Sequence, residues 1–355
     1  MAAADAGPPP PPPRGVDLAL LYSSNVQGHA APCDCVRPLG GLARRATVIG
    51  RTRADADGTL IVDAGDLFDD GSTKTAQRLA AAVAAGGLDA FTPGERDLAL
   101  GVPTLKRLAT AGGLPVISSN LTDRSGTPLF AGERVFQVDH VPVGVFGVSA
   151  PPTAADAARW QAAGIRVAPP DAAARAAILA LRQQGAKVVV GLFHVGSAAE
   201  TRRLITGLPG LDWAVLGHSA LNLESPEKAG GARLLEALAE GKNLGRLDLH
   251  VVGGSLAFAD AAERPELEAI LADHRRQLGD YDRSLGGMDP AALEVYYQQR
   301  RAQLQAAIAR ERAALARLPR SLTGSWFENR VIPLDATIPD DPRVWGLVQR
   351  LGPHL

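Results

Sequence analysis

The chain has 355 residues, 46% of them hydrophobic, and its 37 basic and 38 acidic residues give a net charge of −1. This length fits two domains, or one large α/β domain with an insertion. The near-neutral charge argues against a dedicated binder of nucleic acid or of anionic membranes, and the sequence contains no apolar run of about 18 residues that would predict a transmembrane helix.

The N-terminal segment, residues 1–15, is predicted to be a disordered, proline-rich tether. It contains six consecutive prolines, Pro8–Pro13, which favour polyproline II or disorder over packed structure. No charged region followed by an apolar stretch precedes it, so no signal peptide is visible in this chain. Two interpretations stay open: an exported, periplasmic protein whose signal has been removed, or a cytoplasmic protein with a flexible N-terminus.

Residues 16–262 alternate between short apolar runs and amphipathic stretches. Runs that end in Gly, Asp, Asn, Ser or His predict strands at Val16–Tyr22, Thr59–Val62, Leu114–Ile117, Pro142–Val148, Lys187–Phe193 and Leu211–Leu216. Stretches rich in Ala, Leu and Arg predict helices at Leu42–Ala54, Thr75–Ala85, Pro103–Ala111, Asp171–Gln183 and Ala198–Thr206. This alternation predicts a layered α/β fold with a site at the strand C-termini.

The pattern changes in residues 263–320, which we predict to be an inserted helical hairpin. Helices are expected at Pro265–Leu278 and Pro290–Leu318, joined by a turn at Gly286–Gly287. Apolar residues recur at helical spacing along the second helix, at Leu293, Tyr297, Leu304, Ile308, Leu315 and Leu318. The hairpin is expected to pack on the domain or on a protein partner, and residues 321–355 to add a final strand and short helix.

Polar side chains follow several predicted strands, and their arrangement indicates a metal site. Loops from different strands of one layered sheet bring carboxylates and imidazoles together, and glycines let the backbones converge. The loops concerned are Ser24–His29, Asp63–Asp66, Pro93–Asp97, Phe193–Gly196 and Leu216–Ser219.

In order and spacing these loops resemble the calcineurin-like metallophosphoesterases, and most closely their 5′-nucleotidase branch. The resemblance spans Val16–Val252, with a weaker match at Asn329–Val348, and includes the Gly-Gly-x-Ala-Arg stretch at Gly40–Arg45 and the Gly-Arg-Leu-Asp strand at Gly241–Asp248. It implies a four-layer α/β/β/α sandwich that carries the helical hairpin as an insertion.

The resemblance also shows where this chain departs from the family. The family holds its first metal with Asp-x-His and the second His of Gly-His-x-His, and the matching residues here are Asn25, Gln27 and Ala220. Since an amide is a poor ligand and alanine is none, a two-metal site is not expected. The residues that match the second metal position are retained, with Glu95 in place of Asn: Asp66, Glu95, His194 and His218. They predict one divalent metal (Zn, Mn or Fe), the alternative being a site without metal.

Arg96 occupies the position of the family's catalytic His. Its guanidinium can bind a phosphate or another oxyanion through its fork of donors. It cannot act as a general acid, because its pKa stays above about 12. Phosphoester hydrolysis by the family mechanism should therefore be impaired.

Cys33 and Cys35 are the only cysteines of the chain, and one residue separates them. They could supply thiolates to a metal together with His29, cycle between dithiol and disulfide or accept sulfur, or be merely structural. A Cys-x-Cys disulfide closes a small ring and should be readily reduced. The loop also resembles a Cys-x-Cys loop before Pro-Leu-Gly-Gly in bacterial 5′-nucleotidase-like proteins, which favours redox chemistry.

Three functions are therefore weighed. The leading hypothesis is an exported, hydrolase-deficient protein of the 5′-nucleotidase branch, with redox or sulfur chemistry at Cys33 and Cys35, Arg96 as an oxyanion ligand and an electron-transfer protein as partner. The second is a phosphoester hydrolase that uses one metal. The third is a non-catalytic assembly protein that binds a partner through the hairpin, residues 265–318.

Overall fold

The computed structural model describes residues 15–69, 73–253, 256–284 and 295–351. The predicted tether up to residue 14 and the predicted Gly286–Gly287 turn lie outside these ranges. The chain divides into two compact units, of which the first comprises Met1–His250 and Asn329–Leu355 and the second comprises Val251–Glu328. The second unit thus encloses the segment for which the hairpin is predicted.

The first unit alternates strands and helices through most of its length. In chain order its elements are β1 (Val16–Ser23), α1 (Leu42–Asp55), β2 (Gly58–Asp63), α2 (Thr73–Gly86), β3 (Ala90–Phe91), α3 (Glu95–Ala99), α4 (Val102–Thr110), β4 (Leu121–Thr122), β5 (Glu133–Val138), β6 (Val141–Ser149), α5 (Ala154–Ala162), β7 (Arg166–Val167), α6 (Pro170–Gln183), β8 (Val188–His194), α7 (Ala198–Thr206), β9 (Trp213–Leu216), β10 (Glu227–Ala229), β11 (Ala232–Leu235) and β12 (Asn243–Val251). β14 (Trp326–Pro333) begins in the second unit and ends in the first, and α10 (Pro342–Val348) and a 3₁₀ turn at Gln349–Leu351 follow it.

Two large sheets form the centre of this unit. One has the strand order β14-β12-β1-β2-β3 and the other has the order β10-β11-β9-β8-β6-β5. The central pairs β1/β2, β6/β8, β8/β9 and β9/β11 are parallel, whereas β5 and β10 pair with their neighbours in the antiparallel sense. Because parallel pairing aligns the C-termini of the inner strands, the loops that follow them meet at one edge of each sheet.

Both faces of each sheet are covered, which explains the continuous apolar runs in the sequence. All of β8 is buried, as is β1 from Leu18 onward. In the first sheet, Leu21 and Ile61 pack against α1, α2 and α10, while their neighbours along the strands face the other way and are also buried. Phe146 and Phe193 of the second sheet pack in the same manner with α6 and α7. The architecture confirms the predicted α/β/β/α layering.

One predicted strand is wrong. Leu114–Ile117 forms only isolated bridges, Phe91↔Val116 and Ile117↔Ala131, instead of a ladder. The backbone turns within the run, since Val116 N donates to Leu114 O at 2.9 Å, so a continuous ladder cannot form. An apolar run signals burial, but it does not ensure a pairing partner.

The second unit consists mainly of two long helices, α8 (Glu263–Ser284) and α9 (Val295–Arg317). Of the apolar stripe expected on the second helix, Leu304 and Ile308 are buried, whereas Tyr297 is exposed. Leu293 lies outside the described residues. Arg264 donates to Leu315 O and Leu318 O and so satisfies carbonyls at the C-terminus of α9. A short strand, β13 (Ala259–Asp260), pairs in parallel with the start of β14. Among the described helices, none combines the length and apolarity that a membrane span requires.

Candidate functional site

A single carboxylate joins two imidazoles at the C-terminal edge of the strands. Glu95, the first residue of α3, accepts from His194 Nε2 at 2.7 Å through Oε2 and from His218 Nδ1 at 2.9 Å through Oε1. His194 ends β8, and His218 lies two residues beyond β9. In the described part of the chain, this is the one group of three or more His, Cys, Asp or Glu whose ligand atoms all lie within 4.8 Å of one another.

The surroundings of His194 fix its protonation. Its Nδ1 lies 2.8 Å from the carbonyl oxygen of Ala64, so that nitrogen carries a proton. Burial disfavours the charged ring, but the hydrogen bond to Glu95 and the nearby carboxylate of Asp66 outweigh it and raise the pKa of His194 to about 9. The ring is therefore an imidazolium at neutral pH.

The pKa of the Glu95 carboxyl shifts in the opposite direction, downward. Burial opposes ionisation of Glu95, yet the hydrogen bonds from His194 and His218 hold its pKa well below the usual range. The hydrogen bond to Glu95 likewise raises the pKa of His218, against the effect of partial burial. Without a bound metal, Glu95 is therefore an ionised carboxylate that accepts a hydrogen bond from each of the two histidines.

The same three side chains fit one divalent metal. Two imidazole nitrogens and a carboxylate form a donor set that Zn or Fe accepts, at about 2.0–2.2 Å from each Zn ligand. The contact of His194 Nδ1 with Ala64 O is the orienting hydrogen bond usual for a ligating histidine, and it leaves Nε2 as the ligand atom. A metal would replace the proton that Glu95 and His194 now share.

Asp66, the fourth predicted ligand, lies beside this group without belonging to it. Its Oδ1 is 3.5 Å from His194 Nε2 and accepts from the backbone N–H of Arg96 at 3.0 Å. The Arg96 side chain is 43% exposed, and its Nε lies 3.7 Å from Asp66 Oδ2. Arg96 therefore has an exposed guanidinium at the edge of the site, suited to an anion.

At the position that the sequence resemblance assigns to a first metal, Asn25 links two loops through hydrogen bonds. Its Nδ2 donates to Ser219 O at 2.6 Å, and its Oδ1 accepts from the backbone N–H of His218 at 3.0 Å. The side chain is buried, and both ends of its amide are engaged. The side chain of Ala220 offers no atom that could ligate a metal. The residues here tie the loop after β1 to the loop that carries His218, so they do not fit a second metal.

Two buried carboxylates near the site were missed from the sequence. Asp97 accepts backbone N–H groups of Asp66, Phe68 and Gly94 at 2.7–2.9 Å. The spacing Gly94-x-x-Asp97, typical of a helix N-terminus, was the available signal. Glu236 follows β11 and accepts from Ser219 Oγ at 2.8 Å, and burial raises its pKa to about 7. No sequence signal marks Glu236.

The two cysteines do not belong to the histidine group. Cys33 and Cys35 form a disulfide with a Cα–Cα distance of 5.4 Å, and Cys35 is exposed. His29 Nδ1 lies 3.1 Å from Val26 O, within its own turn. The described residues thus bring neither cysteine into a metal-binding group, and they do not gather the thiolate site with His29 that was one of the alternatives.

No protein-family model matches the sequence, and no curated protein matches it. Several solved structures are similar to this chain. A 5′-nucleotidase precursor from Thermus thermophilus is 19% identical, with a TM-score of 0.62 over 94% of this chain and 58% of its own. The sulfate thiohydrolase SoxB, also from Thermus thermophilus, is 18% identical, with a TM-score of 0.67 over 96% and 61%.

The calcineurin-like phosphoesterase YfkN from Bacillus subtilis is 16% identical, with a TM-score of 0.62 over 95% of this chain and 97% of its own. This chain therefore spans about three fifths of the two Thermus chains and nearly all of the YfkN chain. Identities of this size establish architecture. The chain has the metallophosphoesterase fold shared by the calcineurin-like phosphoesterases and the 5′-nucleotidases.

Proposed function

We propose that this protein is a hydrolase-deficient relative of the 5′-nucleotidases whose chemistry is thiol–disulfide exchange at Cys33 and Cys35. The observation that carries the proposal is a disulfide between the only two cysteines, of which Cys35 is exposed and Cys33 is half-buried, in the loop between β1 and α1. Exposed disulfides belong to the labile class, in contrast to buried structural ones.

The residues that replace the family's metal ligands support the loss of hydrolysis. A two-metal centre places an activated oxygen between two cations. Here both polar atoms of the Asn25 amide form hydrogen bonds with backbone groups. The side chain of Ala220 contains no atom that could ligate a metal. Arg96 matches the position of the family's catalytic His, which would donate a proton, and a guanidinium does not release its proton near neutral pH.

An exported location and a dithiol partner belong to the same proposal. Disulfides persist in oxidising compartments such as the periplasm, where an exposed pair would meet electron-transfer proteins. The hairpin, residues 265–318, stays the surface we propose for a protein partner. Arg96 is the group we propose for a phosphate or another oxyanion.

The redox proposal predicts a reversible two-electron couple. In graded dithiothreitol or glutathione buffers, thiol titration should show the two cysteines reduced together, at a potential above the roughly −300 mV below which structural disulfides fall. In the dithiothreitol buffers, the Cys33→Ser and Cys35→Ser variants should each show one thiol throughout, because a mixed disulfide with dithiothreitol is released by ring closure of the reagent. A disulfide that persists throughout the series, or thiols that never reoxidise, would contradict the proposal.

A second candidate function rests on the compact group of Glu95, His194 and His218. One metal bound there would supply a Lewis acid and a site for an activated water, as in one-metal hydrolases. His194 Nε2, His218 Nδ1 and a Glu95 oxygen would hold it, and Ala64 would orient His194. Arg96 would bind the substrate's anionic group.

We expect protein stripped of metal to bind at most one equivalent of added Zn²⁺ or Mn²⁺. With the metal added, it should hydrolyse a generic phosphate monoester no faster than buffer alone does. His218→Ala should weaken metal binding at least tenfold, because one of three ligands is removed. His274→Ala is the matched control, since His274 pairs with Glu311 at 2.7 Å in the hairpin. Metal-dependent turnover would favour the one-metal hydrolase, and binding of two equivalents would refute the single site.

A further inference from the structure

We infer that a thiol reacting with the Cys33–Cys35 disulfide attacks Cys35 and expels Cys33. This assignment rests on the proposed redox function and adds direction to it. The two sulfurs differ in access and in their hydrogen-bonding surroundings, and both differences favour the same outcome.

Access favours Cys35 as the sulfur that is attacked. Cys35 is exposed and Cys33 is half-buried, although they are joined by one bond. The residues after Cys35 extend into solvent, and the side chain of Val36 is fully exposed. Exchange requires the entering thiolate to reach a sulfur along the disulfide axis, so the outer sulfur is the accessible one.

The polar surroundings favour Cys33 as the leaving group. The backbone N–H of Leu39 donates to Cys33 Sγ at 3.3 Å, and such a donor stabilises a thiolate. The carbonyl oxygen of Arg37 lies 3.4 Å from Cys35 Sγ and 4.0 Å from Cys33 Sγ. A carbonyl can only accept, so in the reduced protein it favours the protonated thiol on the nearer sulfur, Cys35.

The Leu39 donor is held in place before the reaction begins. Leu39 O accepts from the backbone N–H of Cys33 at 2.9 Å, so the two residues are paired in both directions. The neighbours of Leu39 are also fixed, because Gly40 N donates to Leu334 O and the Arg44 guanidinium donates to Pro38 O. The leaving sulfur therefore finds its hydrogen bond without rearrangement of the loop.

The exchange balances as a two-electron reduction by a dithiol. The first thiolate of the dithiol forms a bond to Cys35 Sγ while the Cys33–Cys35 bond breaks, and the electron pair leaves on Cys33 Sγ. The second thiolate of the dithiol then attacks its own partner sulfur and expels Cys35, which takes up a proton. The dithiol ends as a disulfide, and Cys33 and Cys35 end as thiols once Cys33 is protonated.

The test uses the full-length oxidised protein and glutathione as the monothiol probe. After brief reaction, acid quenching and alkylation, fragment-ion mass spectrometry assigns the adduct, since Asp34 separates the two cysteines. We expect glutathione on Cys35 in at least tenfold excess over Cys33. Equal labelling, or an excess on Cys33, would overturn the assignment and leave the redox function standing. Absence of reaction with glutathione and with dithiothreitol would overturn both.

Thiolate absorbance of the single-cysteine variants gives an independent measurement. The thiol of Cys33 in the Cys35→Ser variant should titrate at lower pH than that of Cys35 in the Cys33→Ser variant. Leu39→Pro removes the N–H donor and should cut the glutathione preference for Cys35 severalfold, whereas Leu39→Ala, which keeps the donor, should retain it. An unchanged preference in Leu39→Pro would show that the donor does not direct the reaction.

Discussion

Replacing Asp97 by alanine is expected to lower the free energy of unfolding by at least about 3 kcal/mol, because it leaves three buried donors without this acceptor and each such loss costs about 1–3 kcal/mol. The Asp97 side chain is fully buried and accepts three backbone N–H groups, from Asp66, Phe68 and Gly94. Those groups belong to the loop after β2 and to the residue that precedes α3, and they lose this acceptor once the carboxylate is gone. Urea unfolding at neutral pH measures the loss.

Asp123 provides a matched control for this prediction. Its carboxylate also accepts two backbone N–H groups, from Ser125 and Thr127, but these hydrogen bonds are exposed. In Asp123→Ala, water can replace the lost acceptor, so the destabilisation should be much smaller. Equal losses in the two variants would show that the buried N–H groups near Asp97 find other partners.

The fold was predictable because its inner strands are buried on both faces. The buried parts of the predicted runs, Leu18–Tyr22 and Val188–Phe193, contain no charged residue for that reason, and each run ends where a polar loop begins. The failure at Leu114–Ile117 has the same origin. Local composition reports burial, whereas strand pairing depends on a neighbour that is distant in sequence, and the adjacent strand β3 has only two residues.

The site was predictable to the extent that its residues follow strands in family order. His194 and His218 come together because they lie at or just beyond the ends of β8 and β9, and Glu95, at the start of α3, was identified by the resemblance. The role of Asn25 was not predictable, because it depends on the His218 loop, nearly 200 positions away. The spacing Gly94-x-x-Asp97 indicated only the hydrogen bond of Asp97 to its own helix, and not those to the loop after β2. Sequence alone left the cysteine pair with three interpretations, and the exposed disulfide provides the basis for the redox proposal.

The charged histidine makes the stability of the metal-free protein depend on pH. The pKa of His194 is raised on folding from 6.5 to about 9, so the folded protein holds this proton more tightly than the unfolded chain. The stabilisation is complete below pH 6.5 and is lost as the pH rises through about 9. By linkage, a shift of this size corresponds to a loss of the order of 3 kcal/mol between neutral pH and pH 10.

Denaturant unfolding in the presence of a chelator, at intervals from pH 6.5 to 10, measures this loss. Glu95→Gln keeps an acceptor for His194 and removes one of the two carboxylate charges that raise its pKa, so the stability of this variant should change less over the same range. His194→Gln removes the titrating group and should abolish this part of the pH dependence, although the variant is less stable at every pH. The range stops at pH 10 because burial raises the pKa of Tyr22, whose ionisation destabilises the protein at still higher pH. If both variants keep the wild-type dependence of the free energy of unfolding on pH, the proton released on unfolding comes from another group. Glu95 then does not hold His194 as an imidazolium.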